Sequence, residues 1–354
     1  MSDMIAYWLL FLVPSILCLN RPRQAWSVLI CLSLIIFFSL FIGLRHEIGG
    51  DWFSYLPYVT RAKGISLLST YEWGDPGYNT LNWLFAPFSW GIYGVNFISS
   101  IFFSIGLVIF CRSQPRPWLA LTLSIPYLII VVAMGYSRQG VALGFAMPAL
   151  LALERGRLRL FLFLIACAAS FHSTSLVLVG FILPAIRGRS VVNRLLRLIV
   201  LIFVSAVLAH VFLISRADYF ISGYIENEYQ SEGAFIRSLM NLVPALIFLV
   251  AQKNFTISSV QFHLWRSISI VAIICFALLL LYPSQSTAID RISLYLIPLQ
   301  IFVGTHLPDT GFLKLSPKSL VVSLLVYSFF VQFVWLNFAS HAYSWLPYQN
   351  LLFL

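Results

Sequence analysis

Charge is scarce in this chain: Asp, Glu, Lys and Arg make up only 10% of its 354 residues, against 60% hydrophobic residues and a mean hydropathy of +0.91. No polar stretch is long enough to build a separate soluble domain, so a single membrane domain over residues 1–354 is expected. Its five cysteines (Cys18, Cys31, Cys111, Cys167, Cys275) all fall in apolar runs without paired or metal-ligand spacing and read as small core or lipid-facing residues. Walker, dinucleotide-glycine, HExxH and GxSxG patterns are missing, so ATP-driven and hydrolase chemistry has no motif behind it. Repeats and low-complexity segments are missing too. Met4–Leu19 lacks a basic leader and an Ala-x-Ala exit and reads as a first span.

The apolar runs recur at near-spanning length. They place spans near 4–19, 26–44, 92–111, 118–134, 139–153, 160–171, 173–186, 198–215, 238–251, 267–282, 292–307 and 320–336. The expected class is an all-α polytopic membrane protein with about twelve transmembrane helices. The few charges are not spread evenly. Loops 20–25, 112–117, 154–159, 187–197, 252–266 and 308–319 carry 15 of the 22 Lys and Arg but only two acids, Glu154 and Asp309. Short basic loops stay cytoplasmic, which puts both termini on the far side of the membrane. The net charge of +10 is thus a topology signal, and a nucleic-acid partner is not expected.

On that far side, the uncharged run Trp26–Leu44 empties into Arg45-His46-Glu47-Ile48-Gly49-Gly50-Asp51, followed by Trp52 and Tyr55. Ionisable groups at membrane depth are costly unless paired, solvated or ligand-bound, so the cluster reads as a site. Asp51 and Tyr55, four residues apart, share a helical face, while Asp51 could equally N-cap the helix it starts. Glu47 reads as a partner for Arg45. The segment Arg45–Trp90 is dense in aromatics, as interfacial helices are, and Gly74-Asp75-Pro76-Gly77-Tyr78 reads as a turn into another helix. Tyr136-Ser137-Arg138-Gln139 forms a polar tip between two spans, and His172 sits at the break between two short ones. Such breaks line protein or water rather than lipid, which predicts a wet cavity open to the far side. Asp290 and Arg291 are neighbours in sequence, point apart on a helix, and should each have another partner. The arginines at far-side span ends, Arg45, Arg138, Arg216, Arg237 and Arg291, either snorkel singly or converge on an anion such as a diphosphate. The acidic, tyrosine-rich segment 216–237 suits carbohydrate hydroxyls or a solvated loop equally. His210, His263 and His306 lack ligand spacing and read as structural, and Asn337–Leu354 is expected to pack over the far face.

Taken in order, Arg45, Gly49, Asp51 and Tyr55, then Pro76-Gly77-Tyr78, Arg138-Gln139, Phe171-His172-Ser173-Thr174 and Asp290-Arg291 with Tyr295 resemble the EpsG-like branch of the Wzy-type O-antigen and exopolysaccharide polymerases. The resemblance implies a GT-C-like membrane glycosyltransferase in the bacterial inner membrane, its site and both termini periplasmic. It would move a growing glycan from undecaprenyl diphosphate to an incoming lipid-linked repeat unit. Arg45, Arg138 and Arg291 would receive the leaving diphosphate. His172 or Asp51 would activate the acceptor hydroxyl. Tyr55, Tyr78, Tyr136, Gln139, Arg237, Asp290 and Tyr295 would bind substrate. Inversion without a metal cofactor is expected, although Asp51 could instead hold a divalent ion. Membrane lipids and a Wzz-type chain-length regulator are the implied partners. An O-antigen ligase usually carries a larger outward domain, missing here. A flippase would need basic residues deep in its spans, where this chain is nearly bare of charge.

Overall fold

The computed structural model describes residues 4–21, 23–182, 199, 202 and 233–354. All regular structure among them is helical, and the one strand-like pairing is an isolated bridge between Arg45 and Asn350. Two apolar helices, α1 (Ile5–Asn20) and α2 (Val28–Gly43), precede the interfacial group α3 (Trp52–Ala62), α4 (Leu67–Thr70) and α5 (Pro76–Phe85). The centre of the bundle follows: α6 (Gly91–Arg112), α7 (Pro117–Ser124) running on as a π-helix (Ile125–Ala133), α8 (Ser137–Glu154) and α9 (Leu158–Phe171). After a 3-10 segment (Ser173–Phe181) come α10 (Ala234–Ala251), α11 (Ser259–Leu281), α12 (Ser286–Leu294), α13 (Ile297–His306) and α14 (Pro317–Phe338).

All but two of the expected spans coincide with helices. The 173–186 span is a nine-residue 3-10 segment as far as it is described, and 198–215 lies outside the described residues. Among the described residues, α6, α10 (with its 3-10 extension to Asn254), α11 and α14 are the helices long and apolar enough to cross a membrane. The pair Pro283–Leu294 and Ile297–Asp309, bent by 50°, makes a fifth if counted as one span. Pro298 opens the second arm of that pair, where its missing N–H is harmless to the new helix but cannot continue the old one. The 16-residue α1 and α2 reach about 24 Å, short of a ~30 Å hydrocarbon core.

Nearly all of α8 is buried, which its sequence permits because small residues let neighbours close in. A Cβ at Gly106 of α6 would collide with the Gly144 carbonyl of α8, so these two backbones touch as small-residue membrane contacts do. The central helices run between two charged layers. At one end Arg116 and Arg23 meet Asp309, and Glu154 accepts from Trp265 Nε1 at 2.7 Å. At the other lie Arg45, Asp51, Arg138 and His172. These two ends match the sidedness read from the loops: basic loops at one, the candidate site at the other. The C-terminal segment is laced over the site end, as expected. Gly49 donates to the Ser344 carbonyl, His46 to Gln349 and Leu351 to Leu44.

Candidate functional site

The loop from Arg45 to Asp51 is fixed from beneath by its own arginine. Arg45 is 2% exposed. Its Nη1 donates to the Ile42 carbonyl at 2.7 Å, Nε to Ile48 at 3.1 Å and Nη2 to Ser137 Oγ at 2.8 Å. Burial pushes its guanidinium down to about 10, still charged at neutral pH. Gly49 then turns with φ +109°, and a Cβ there would strike the Met134 carbonyl, so only glycine brings this loop against the end of the π-helix. Glu47 does not pair with Arg45. It stands exposed, 3.9 Å from His46.

Asp51 occupies the N-cap position of α3, yet its side chain makes no capping bond. Instead Tyr55 Oη donates to Asp51 Oδ2 at 3.2 Å across one helical turn, the pairing its i, i+4 spacing predicted. Asp75 repeats the pattern. It sits at the N-cap of α5 without capping, and its Oδ2 accepts from Arg138 Nη1 at 3.1 Å. Helix α5 is started by Pro76 at its first position, where its missing N–H costs nothing. Arg138 also lies over the rings of Tyr55 and Tyr58, at 5.8 and 5.7 Å. Burial raises the Asp51 carboxyl above its ordinary value, and the Arg138 charge, the Tyr55 hydroxyl and Arg291 oppose the shift.

His172 ends α9 in an extended conformation. Its Nδ1 accepts from the Thr174 amide at 3.4 Å, and its Nε2 lies 3.1 Å from the Gln139 side-chain amide. Gln139 approaches with its Nε2, a donor, so both ring nitrogens face N–H groups of the protein. Neither nitrogen then holds a lone pair free for a substrate proton. The geometry makes His172 an anchor for Gln139. On α12, Asp290 and Arg291 do diverge. Asp290 takes a bidentate pair from Arg237 of α10, with Nε–Oδ1 at 2.8 Å and Nη2–Oδ2 at 2.7 Å.

These groups surround one cavity of about 140 Å³, walled by Asp51, Tyr55, Tyr127, Tyr136, Arg138, Gln139, His172, Thr287, Asp290, Arg291 and Leu294. Of the expected site residues, Arg45, Tyr78, Arg237 and Tyr295 do not line it. Tyr78 and Tyr295 are fully buried, and neither hydroxyl has a partner among the described residues. Tyr78 packs 5.3 Å from the Tyr55 ring and Tyr295 6.3 Å from His172. They back the wall rather than face the space. Arg216 and most of the 216–237 segment lie outside the described residues. Asp75, Tyr127 and Thr287 are newly placed by the structure. Asp75 stood in the sequence as one letter of a turn, and Tyr127 as one aromatic inside an apolar span. The π-helix, which fits an extra residue into each turn, carries Tyr127 along the wall of this space. Among the described residues no group of three His, Cys, Asp or Glu stands close enough to hold a metal ion.

The EpsG family model matches residues 28–350, a stretch that contains every wall of this cavity. The chain belongs to the EpsG family. Membership suggests a polysaccharide-polymerase-like, glycosyltransferase-like role, and the apolar helices suggest that it is exercised in a membrane. No curated protein and no solved structure matches the chain.

Proposed function

We propose that this EpsG-family protein is a Wzy-type polymerase. It transfers a growing glycan from undecaprenyl diphosphate to the non-reducing end of a lipid-linked repeat unit. One observation carries the reading: an acid freed from its cap, Asp51, and two cations, Arg138 and Arg291, face one small polar cavity at a membrane boundary. The acceptor hydroxyl attacks the anomeric carbon while its proton passes to Asp51. The bond from that carbon to the diphosphate oxygen breaks, and its electron pair leaves with the diphosphate. Arg138 and Arg291 receive this charge, as preorganised cations do in dry sites. A diphosphate needs no protonation to depart, so one carboxylate suffices and the anomeric centre inverts. Tyr55, Tyr136 and Gln139 offer hydrogen bonds to sugar hydroxyls. Arg45 is assigned to the scaffold, because three of its donors are spent within the protein.

The site end is assigned to the periplasmic face of the inner membrane, from the basic loops gathered at the opposite end. The plan we assign is twelve-span and GT-C-like, with the shorter apolar helices crossing a locally thinned bilayer. A Wzz-type regulator sets chain length, and neither a metal nor an organic cofactor takes part. Glycan banding in a deletion strain tests the reading. Asp51→Ala and Arg138→Ala should leave single repeats on the acceptor while the protein inserts normally. Wild-type ladders from both would remove Asp51 and Arg138 from the site, and loss of even the single repeat would favour a flippase or a ligase.

A further inference from the structure

Beside the polar cavity runs a second, larger space of a different character. It is a groove of about 920 Å³ between α10, α14 and the π-helix, at the upper end of the ~300–1,000 Å³ typical of ligand sites. Its polar groups gather at one end: Arg237, Tyr136, Ser340 and His341. Away from them the lining is apolar, with Met240 and Val243 on α10 facing Val331 and Val334 on α14. It extends inward to a further apolar pocket of about 130 Å³, reaching Ile247 on α10 and Leu324 on α14. From Arg237 to Ile247 the walls descend ten residues of α10, about 15 Å at 1.5 Å per residue. A slot charged only at the membrane boundary and mainly apolar below it fits a long-chain amphiphile.

Its position selects which one. Tyr127 and Tyr136 wall both the groove and the polar cavity, and Arg237, on the groove side, grips Asp290, on the cavity side. The two spaces therefore share one partition at the level of the charged layer. We infer that the groove between α10 and α14 holds the polyprenyl chain of the lipid diphosphate whose head reaches Asp51 and Arg138 across the Tyr127–Tyr136 partition. Arg237 marks where the chain ends and the phosphates begin. This rests on the polymerase reading and adds where the lipid lies and from which side it slides in.

A polyprenyl diphosphate bearing a photoreactive group at its far end provides the test, with the full chain in nanodiscs of phosphatidylethanolamine and phosphatidylglycerol. Cross-links should fall within Ala234–Ala251 and Pro317–Phe338. Excess unlabelled polyprenyl diphosphate should suppress them at least fivefold, and extra phosphatidylglycerol should not. Met240→Trp and Val331→Trp, each checked for monodispersity and thermal stability, should reduce labelling by a similar factor. Where a tryptophan variant misfolds, the competition in wild type decides alone. Labelling on other helices, or equal competition by phosphatidylglycerol, would overturn the inference and leave an ordinary lipid-filled groove. If the groove fails this test while Asp51→Ala still abolishes polymer, only the lipid path is wrong. If it labels as expected while the wild-type chain itself builds no polymer, the polymerase reading falls and the lipid site stands.

Discussion

The two charged layers of this protein use the same residue types in opposite ways. At the basic end, Arg116 is 3% exposed along its side chain. It donates to the Thr305 carbonyl at 3.0 Å and, through Nη2, to Asp309 Oδ1 at 2.7 Å, while Arg23 reaches the same carboxylate. These charges answer one another directly. At the site end Asp51 and Asp75 both decline the caps they could form, and Arg138, Arg291 and Asp51 face a common space. A helix-capping aspartate turned away from its helix is one whose lone pairs are held for something else. Charge at a membrane boundary thus marks structure where it is closed on itself and a site where it surrounds a cavity.

Substitutions should separate the two layers. The largest effect belongs to Arg138→Ala and Asp51→Asn, each expected to lower polymerisation by about 10²–10³-fold, the scale of a lost transition-state partner. Arg138→Ala also deprives the Asp75 carboxylate of a donor and should lower the melting temperature, whereas Asp51→Asn should leave thermal stability little changed. At the basic end, Arg116→Ala should do the reverse. It leaves Thr305 and Asp309 short of a buried donor and costs about 1–3 kcal/mol, read as a lower melting temperature, while activity per folded molecule is retained. Arg45→Ala belongs with Arg116 despite its place beside the site. A stability loss of about 2 kcal/mol is expected because the Ile42 and Ile48 carbonyls lose their donor. Full inactivation without destabilisation would return Arg45 to the chemistry.

The pH dependence offers a finer cut. Asp51 is held above its usual value, so the base is lost as pH falls through that raised value. The acid limb of the activity profile should therefore lie above the ~3.9 of a free aspartate and disappear from the residual activity of Asp51→Asn. The smallest effect is expected from Arg61→Ala. This removes a guanidinium 4.8 Å from the Trp73 ring on the interfacial helices, about 0.5–1 kcal/mol, without touching polymer length.

Much of this was legible in the residues. Apolar runs located the helices, because a span must bury its backbone in itself, and the Lys and Arg bias sorted their ends. Asp51–Tyr55, the breaks at Tyr136 and His172, and the divergence of Asp290 from Arg291 follow from helical geometry over one turn. What stayed hidden depends on distance in the chain. Arg45 looked like a ligand because nothing local shows that the Ser137 hydroxyl, 92 residues on, would take its second nitrogen. Asp75 looked like punctuation because its partner Arg138 is 63 residues away. Tyr127 was masked by the apolar run around it, since a period of 3.6 cannot reveal a π-helical stretch. Helix length was less legible: apolar composition runs on through the 50° bend between Pro283–Leu294 and Ile297–Asp309 without marking it.

The central claim is that the Asp51–Arg138–Arg291 cavity receives a departing lipid diphosphate. Purified protein incubated with a polyprenyl-diphosphate-linked repeat unit, its products resolved as a ladder, tests this most directly. Wild type and, per folded molecule, Arg45→Ala should build ladders, while Asp51→Asn and Arg138→Ala should leave the substrate as single repeats. Ladders of wild-type length from both cavity variants would contradict the account.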